Sequence, residues 1–409
     1  MKNILVISYM SNIPGSCQAE WVDDRIYEFL NKRWQISVVS GSHCFKYPSS
    51  IKHIRVPSIL PYEAKHEYNE IKSMGIDTNR KFLIFYLKIM AIISNGLKFL
   101  KFNILKGESR FFWVFPSLLA TLRLCITNKY DFIYTTGGPI SSHLSGILIG
   151  KLFRIKVLSE LQDPLTGDDI GRNKFSRYAL SRIEYFIIAN ATKVIYATKN
   201  AKKSAQLKYF KYSKKIDYIY PGSKNIASPI INKTNNINIS YIGSLYQTRN
   251  LDTFLVAFEK ISSENIILNL YGWIADDILE RINSKELKNI KIHGMVPREK
   301  AFDAMNDADI LLLVQHTDSR SKMTIPFKIY DYMNSNKLIL GLIYKNEEIK
   351  DLLENHGHLA AQADDIVAVE EKLNSSIQII ENNEKSVLNC DLTPDKAVNK
   401  MIELAYETN

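Results

Sequence analysis

The chain runs to 409 residues, too long for one ordinary core, so two domains are expected. A hydrophobic content of 46% and a charged content of 23% are those of a soluble globular protein, and a net charge of +10 asks for a negative partner: nucleic acid, a phosphorylated small molecule or an anionic membrane face. Cys17, Cys44, Cys125 and Cys390 lie far apart, with no C-x-x-C and no His cluster beside them, which argues against a disulfide framework or a zinc site and fits a reducing compartment.

The amino end, MKNILVIS, enters a strand pattern at once, with no long apolar run and small-residue cleavage site, so no secretory signal is expected. No stretch of about 20 apolar residues occurs, so no spanning helix is expected and the protein is placed in the cytoplasm. The first strand covers 3–8 and ends in SNIPGSCQAEWVDDR, where Pro14, Gly15 and Ser16 make a turn before a helix over 19–32. A second strand at 35–40 completes a βαβ opening with ligand room at the strand ends. G-x-G-x-x-G and G-x-x-x-x-G-K-[ST] are both absent, which lowers NAD enzymes and P-loop ATPases.

Residues 81–106, KFLIFYLKIMAIISNGLKFLKFNILK, are apolar and aromatic and are punctuated by Lys81, Lys88, Lys98, Lys101 and Lys106. A basic amphipathic helix of this kind can lie in a membrane interface with its lysines at the headgroups, or pack against a neighbouring domain or a second copy.

The strand 131–135, DFIYT, empties into TGGPISSHLSG, with Gly137, Gly138 and Pro139 in a loop and Ser141, Ser142 and His143 opening the next helix. A strand over 156–160 ends in LQDPLTGDD, which leaves Asp163 just past a strand end, the usual address of catalytic groups in open α/β sheets. A helix over 181–191 and a strand over 193–198 close this half. The Tyr220-Pro221-Gly222 turn and the Asn-rich NKTNNIN mark the linker, so the domains are drawn at 1–222 and 223–392.

The second half opens on INISYIGSLYQTRNLD: a strand over 237–242, then Gly243 and Ser244, then Arg249 and Asn250, then a helix over 251–261. A strand, a glycine turn and a helix N-terminus gather backbone N–H groups at the strand's carboxyl edge, which is a place for phosphate. Arg249 adds a fork that grips phosphate oxygens in pairs, although an ordinary strand-turn-helix with a surface arginine reads the same way in isolation. Strands follow at 266–272, ending at Gly272, at 290–297, ending near Gly294, at 308–315 and at 337–342, with helices between them. The fold class is therefore α/β, with two Rossmann-like doubly wound domains facing across a cleft. Asp307 and Asp309 form a D-x-D, but they precede the buried run ILLLV, where capping and turn roles are commoner than metal binding, and no metal site is assigned.

Together these parts resemble the glycosyltransferases of the GT-B fold, specifically family 4 and its bacterial surface-polysaccharide relatives, over nearly the whole chain. The resemblance rests on the PGS turn, TTGGPISSH with the following strand and QDP, YIGSL with Arg249, HGMVPREKAFDAMNDADILLLV and, most specifically, PFKIYDYMNSNKLILG. It implies a helix whose acidic residue, Asp331, holds the ribose of a nucleotide sugar, with Gly294, Met295 and Val296 meeting the base through backbone groups. Lys328 and Ile329 join the donor set, and Gly15 and Ser16 face the diphosphate or sugar from the first domain. The family's second acidic residue stands eight positions before Asp331, where this chain has Met323. Its G-R-x-x-x-x-K-G is also altered: Ser244 follows Gly243, and Arg249-Asn250 stand for Lys-Gly. The diphosphate grip then rests on Arg249, backbone amides and Lys328, which stabilise charge building on the departing phosphate without a metal ion or other cofactor.

On the acceptor side stand Gly137, Gly138 and Ser142, with His143 and Asp163 as candidates for a general base. His143 at a helix start also reads as a local hydrogen-bonding residue, and Asp163 as a cap or turn residue before Pro164. In a retaining transfer the donor's own phosphate can serve as the base. The C-terminal helix, 393–409, is expected to pack back on the first domain. The resemblance implies transfer of a sugar from a nucleotide diphosphate sugar to a lipid-linked or oligosaccharide acceptor in surface polysaccharide synthesis (lipopolysaccharide, O-antigen or capsule), with peripheral contact to the inner membrane face through 81–106. A sugar-nucleotide epimerase of the same fold and a catalytically silent assembly subunit are the alternatives. The basic residues are scattered and no RNA- or DNA-binding motif occurs, so no nucleic-acid partner is expected.

Overall fold

Among the described residues every pairing between β-strands is parallel, and the strands fall into two separate sheets. The computed structural model describes residues 2–76, 81–96, 110–166, 173–224, 236–261, 263–384 and 390–407. The chain divides into two units, Met1–Tyr220 with Pro394–Asn409, and Pro221–Thr393.

The first unit holds β1 (Asn3–Ile7), β2 (Gln35–Gly41), β3 (Lys52–Val56), β4 (Phe132–Thr136), β5 (Lys156–Leu161), β6 (Lys193–Tyr196) and β7 (Ile216–Tyr218), in the spatial order 3-2-1-4-5-6-7. Its helices are α1 (Cys17–Asn31), α2 (Pro61–Ser73), α3 (Lys81–Gly96), α4 (Val114–Thr127), α5 (Ser141–Phe153), α6 (Lys174–Asn190) and α7 (Lys199–Lys208). The second unit holds β8 (Ile237–Ile242), β9 (Ile266–Tyr271), β10 (Ile290–Gly294), β11 (Ile310–Val314), β12 (Leu338–Ile343) and β13 (Leu359–Gln362), in the order 10-9-8-11-12-13. Its helices are α8 (Asp252–Glu259), α9 (Asp276–Asn283), α10 (Arg298–Asp307), α11 (Lys328–Met333), α12 (Glu347–Glu354) and α13 (Ile366–Glu381). The chain then returns to the first unit as α14 (Pro394–Tyr406). Both orders step outward from the first strand and then reverse, which is the doubly wound arrangement.

The period-2 alternation of a strand sends its neighbours to opposite faces. In β1, Ile4 and Val6 pack with α1 and α14, through Val22, Ile26, Phe29, Val398 and Met401, whereas Leu5 and Ile7 pack with α4, α5 and α6. Two-sided burial explains why these strands read as continuous apolar runs. In the second unit, Leu338, Leu340 and Leu342 of β12 join α8, α9 and α13, while Gly341 between them lies against Leu353 of α12 on the other face. Helix α5 approaches its sheet closely because of two glycines. A Cβ on Gly146 would lie 2.2 Å from Thr135, and one on Gly150 2.2 Å from Val157.

The structure departs from the sequence expectation at several elements. Residues 193–198 do not close the first sheet, because β7 adds one more strand beyond β6. Helix α6 begins at Lys174, with Asn173 capping it by accepting from the Ser176 N–H at 2.7 Å. Strands β3, a half-exposed KHIRV, and β13, the small-residue LAAQ, carry little of the apolar signal on which the other strands were recognised. The segment 81–106 is helical over α3, and its remainder, with Lys98, Lys101 and Lys106, lies outside the described residues. Among the described residues no helix is long and apolar enough to cross a membrane.

At the carboxyl ends of β4 and β5 the first unit buries an ion pair. Arg25 of α1 meets Glu160 of β5 at 3.2 Å with neither side chain exposed, and the Tyr134 hydroxyl and Thr136 Oγ1 also donate to Glu160. Removing one partner of such a pair leaves a buried, uncompensated charge. Arg25→Ala is expected to destabilise the protein by about 3–5 kcal/mol; urea unfolding of the variant measures this, and a loss under ~1 kcal/mol would contradict the pair's structural role.

Candidate functional site

The second unit concentrates its unusual backbone at the carboxyl ends of β8, β9 and β10. Gly243, Gly272 and Gly294 end those strands with φ of +142°, +127° and +69°. The Gly243 N–H donates to Tyr271 O at 2.8 Å and the Gly272 N–H to Gly294 O at 2.7 Å, so the three ends are laced side by side. A Cβ on Gly272 would stand 2.2 Å from the Gly243 carbonyl oxygen, so that position has room only for glycine. No atom lies within 4 Å of where a Gly294 Cβ would point.

Two cations reach the end of β8. Lys328, the first residue of α11, donates from Nζ to Ile242 O at 3.0 Å, and its Nζ lies 3.9 Å from the centre of the Tyr241 ring. A Cβ on Gly243 would come within 2.7 Å of that ammonium, so the glycine leaves the space the lysine fills. Arg249 arrives from a tight turn in which the N–H groups of Tyr246 and Arg249 each donate to the other's carbonyl at 3.0 Å. Its guanidinium sits 5.5 Å from the centre of the Tyr246 ring, and its buried Nε has no hydrogen-bond partner among the described residues.

The loop after β11 braces that turn. Thr317 donates to Thr248 O from both its N–H and its hydroxyl, each at 3.2 Å. Arg320 pairs with Asp318 at 2.6 Å and donates to Gln247 Oε1 at 3.0 Å and to His316 Nδ1 at 3.1 Å. Hydrogen bonds from Arg320 hold the Asp318 carboxyl well below the usual carboxylate range. Burial, reinforced by Arg249 and Arg320, lowers His316 to about 4, so the ring is neutral near pH 7. A guanidinium only donates, so His316 Nδ1 accepts and the ring proton belongs on Nε2. The Tyr246 ring stands edge-on to His316 at 5.0 Å and lies 6.3 Å from that of Trp273, which is half exposed just past β9.

The remaining donor-side residues divide. Ser244 accepts from the Tyr241 hydroxyl at 2.9 Å through its carbonyl. Met295 is exposed and Val296 half-buried beside Gly294. Ile329 stands behind the site: its side chain is fully buried and its N–H donates to Pro326 O at 3.0 Å. Asp331 is mostly buried and accepts from the Ser223 hydroxyl. Met323 closes the short turn Ser319–Lys322. The D-x-D lies at the other end of the sheet, where Asp309 accepts from the Asn238 N–H at 2.8 Å at the start of β8.

In the first unit, Gly15 is exposed in the loop after β1, and Ser16 caps α1 by accepting from the Ala19 N–H at 3.4 Å. Ser142 accepts from the Tyr9 N–H at 3.2 Å, which ties the loops after β1 and β4 together. Gly137 has a φ of +86°, and Gly138 beside it is exposed. His143 is fully buried, with Nδ1 2.8 Å from Thr135 Oγ1 and Nε2 3.1 Å from Gly137 O, and burial lowers it to about 4. Both ring nitrogens are thus engaged within the fold, which is the local hydrogen-bonding role. Asp163 is exposed two residues past β5.

Sequence reading missed Thr248, Trp273, His316, Asp318 and Arg320. The run QHTDSR directly after ILLLV was the available signal, because polar residues past a buried parallel strand fall at the ligand edge of the sheet.

Buried, neutral histidines have a consequence for stability. His43 is lowered to about 3, and His143, His316 and His358 to about 4, each chiefly by burial. The unfolded chain takes up these protons near pH 6.5 and the folded chain only near 4, so stability present above pH 6.5 is lost as pH falls towards 4. Glu67, raised by burial, works in the opposite sense. Thermal melting between pH 7.5 and 5 is expected to show a falling Tm, with a shallower fall in His143→Gln; an equal slope in the variant would contradict the assignment.

No protein-family model matches the sequence, and no curated protein matches it. Solved structures do. HepE from Anabaena, in complex with UDP, is 12% identical with a TM-score of 0.59, covering 100% of this chain and 96% of that one. A glycosyltransferase from Rickettsia africae is 13% identical with a TM-score of 0.63, covering 99% and 97%. The lipopolysaccharide outer core galactosyltransferase WaaB is 12% identical with a TM-score of 0.59, covering 98% and 99%. At this identity the likeness establishes the fold: two parallel α/β units, of seven and six strands, as in the GT-B glycosyltransferases.

Proposed function

We propose that the protein transfers a glycosyl group from a nucleoside diphosphate sugar to a saccharide or lipid-linked acceptor. The bond from the anomeric carbon to the diphosphate oxygen breaks, a bond to the acceptor oxygen forms, and the acceptor's proton passes to the departing diphosphate. The observation that carries this reading is the end of β8: Arg249, with its buried Nε unpartnered, and Lys328 stand at a glycine turn. Fixed cations there stabilise the negative charge that grows on a leaving diphosphate, the role a metal ion plays elsewhere, so the reaction runs without one. His316 adds an Nε2–H donor, and Trp273 and Met295 add exposed apolar surface for a base or sugar ring.

The fold likeness favours a UDP-sugar as donor, because HepE structures hold UDP and UDP-glucose. The likeness to WaaB, a lipopolysaccharide outer core galactosyltransferase, favours a surface-saccharide acceptor. With the donor's phosphate as base, the transfer retains configuration, and His143 and Asp163 are dispensable for the chemistry. The acceptor is assigned to the first unit. Helix α3, which exposes Phe82 and Phe85 between Lys81 and Lys88 and Ile92 one turn further on, attaches that unit to the inner membrane face.

Donor hydrolysis by the purified chain, screened over UDP-sugars, tests the reading. Arg249→Ala is expected to lower kcat/KM by roughly 100-fold, while Arg281→Ala, a surface residue paired with Asp252 and Asp277, leaves it unchanged. Equal activity in Arg249→Ala and the parent would overturn the diphosphate assignment.

A further inference from the structure

The helices α3 to α7 carry a single acidic residue, Glu184, and it is buried. On the opposite face of the same sheet, α1 carries Glu20, Asp23, Asp24 and Glu28. The first unit is therefore electrically asymmetric across its sheet. The outer surface of α4, α5 and α6 is also apolar: Phe115, Leu119, Ile126, Leu152, Phe175 and Tyr178 are each more than half exposed. Arg123, Lys151, Lys174, Arg177 and Arg182 are interspersed among them.

At one edge of this surface is a cavity of about 370 Å³, where α6 meets the chain just after α7. Tyr185, Tyr209 and Tyr212 form its aromatic wall, with the Tyr209 and Tyr212 ring centres 6.2 and 5.8 Å from that of Tyr185 and the Tyr185 and Tyr212 hydroxyls 3.3 Å apart. Arg182, Lys208 and Lys211 line it as well. Lys208 is committed to Glu184 at 3.0 Å, but Arg182 and Lys211 make only ring contacts among the described residues, 5.8 Å from Tyr185 and 5.7 Å from Tyr212. Leu207 and Phe210 stand beside the cavity 83% and 82% exposed, with little of either covered among the described residues.

We infer that this cavity seats the phosphate headgroup of an anionic lipid, and that the α4–α6 surface lies on the bilayer around it. Two uncompensated cations over aromatic rings suit a phosphate. Protruding Leu207 and Phe210 suit the acyl region just below it, and the lack of an exposed carboxylate on α3 to α7 lowers the repulsion an anionic membrane would otherwise meet. The site is distinct from α3 and does not depend on the catalytic reading.

The test is flotation of the full chain with phosphatidylcholine vesicles, with and without phosphatidylglycerol. Binding is expected only to the anionic vesicles. Arg182→Gln/Lys211→Gln should weaken it roughly 30-fold, and Leu207→Ser/Phe210→Ser at least about 10-fold. Donor hydrolysis, read in parallel, should be unchanged in both, which shows that they fold and separates this result from the catalytic one. Unchanged flotation in the Arg182/Lys211 variant would overturn the inference. Inorganic phosphate at millimolar concentration should compete weakly; full competition would mark a free-phosphate site instead of a headgroup site.

Discussion

The Ile242 carbonyl is the point at which the candidate site is tied to the fold. It accepts from the Lys328 ammonium, while the Ile242 N–H donates to the Tyr332 hydroxyl at 3.1 Å, so two residues of α11 grip the end of β8. That ammonium lies over the Tyr241 ring and beside a residue without a side chain. The position of that charge follows from backbone geometry rather than from a flexible surface side chain.

The same economy governs the turn that carries Arg249. Its guanidinium is not fixed by a carboxylate. It is fixed by a mutual backbone pairing of Tyr246 and Arg249, by Thr317 on the carbonyl of Thr248, and by Arg320 spanning Gln247 and His316. Arg320 takes up Asp318, and among the described residues Arg249 pairs with no carboxylate. Keeping His316 neutral prevents a third positive charge from crowding the same turn.

Much of this was legible in the sequence. The apolar runs at β1, β4, β5, β8, β9, β11 and β12 are buried on both faces, and that burial writes the pattern by which they are recognised. The strands that were missed, β3, β7 and β13, are short, or rich in polar or small residues. Arg249 and Gly243 were found because a strand, a glycine and a basic residue lie together in sequence, and Lys328 was reached through the family resemblance. His316, Arg320 and Trp273 reach the same place from other strand ends, a convergence that only the parallel pairing of β8 with β9 and β11 creates. His143 shows the converse: its residue type suggested chemistry, whereas its burial makes it a strut between Thr135 and Gly137.

Calorimetric titration of the intact chain with UDP and with uridine tests the central claim most directly. If the end of β8 holds a diphosphate through Arg249 and Lys328, UDP binds and uridine binds at least about 10-fold more weakly, because each charge-assisted hydrogen bond is worth on the order of 1.5–3 kcal/mol. Equal affinity for the two, or UDP affinity unaltered in Arg249→Ala, would contradict it.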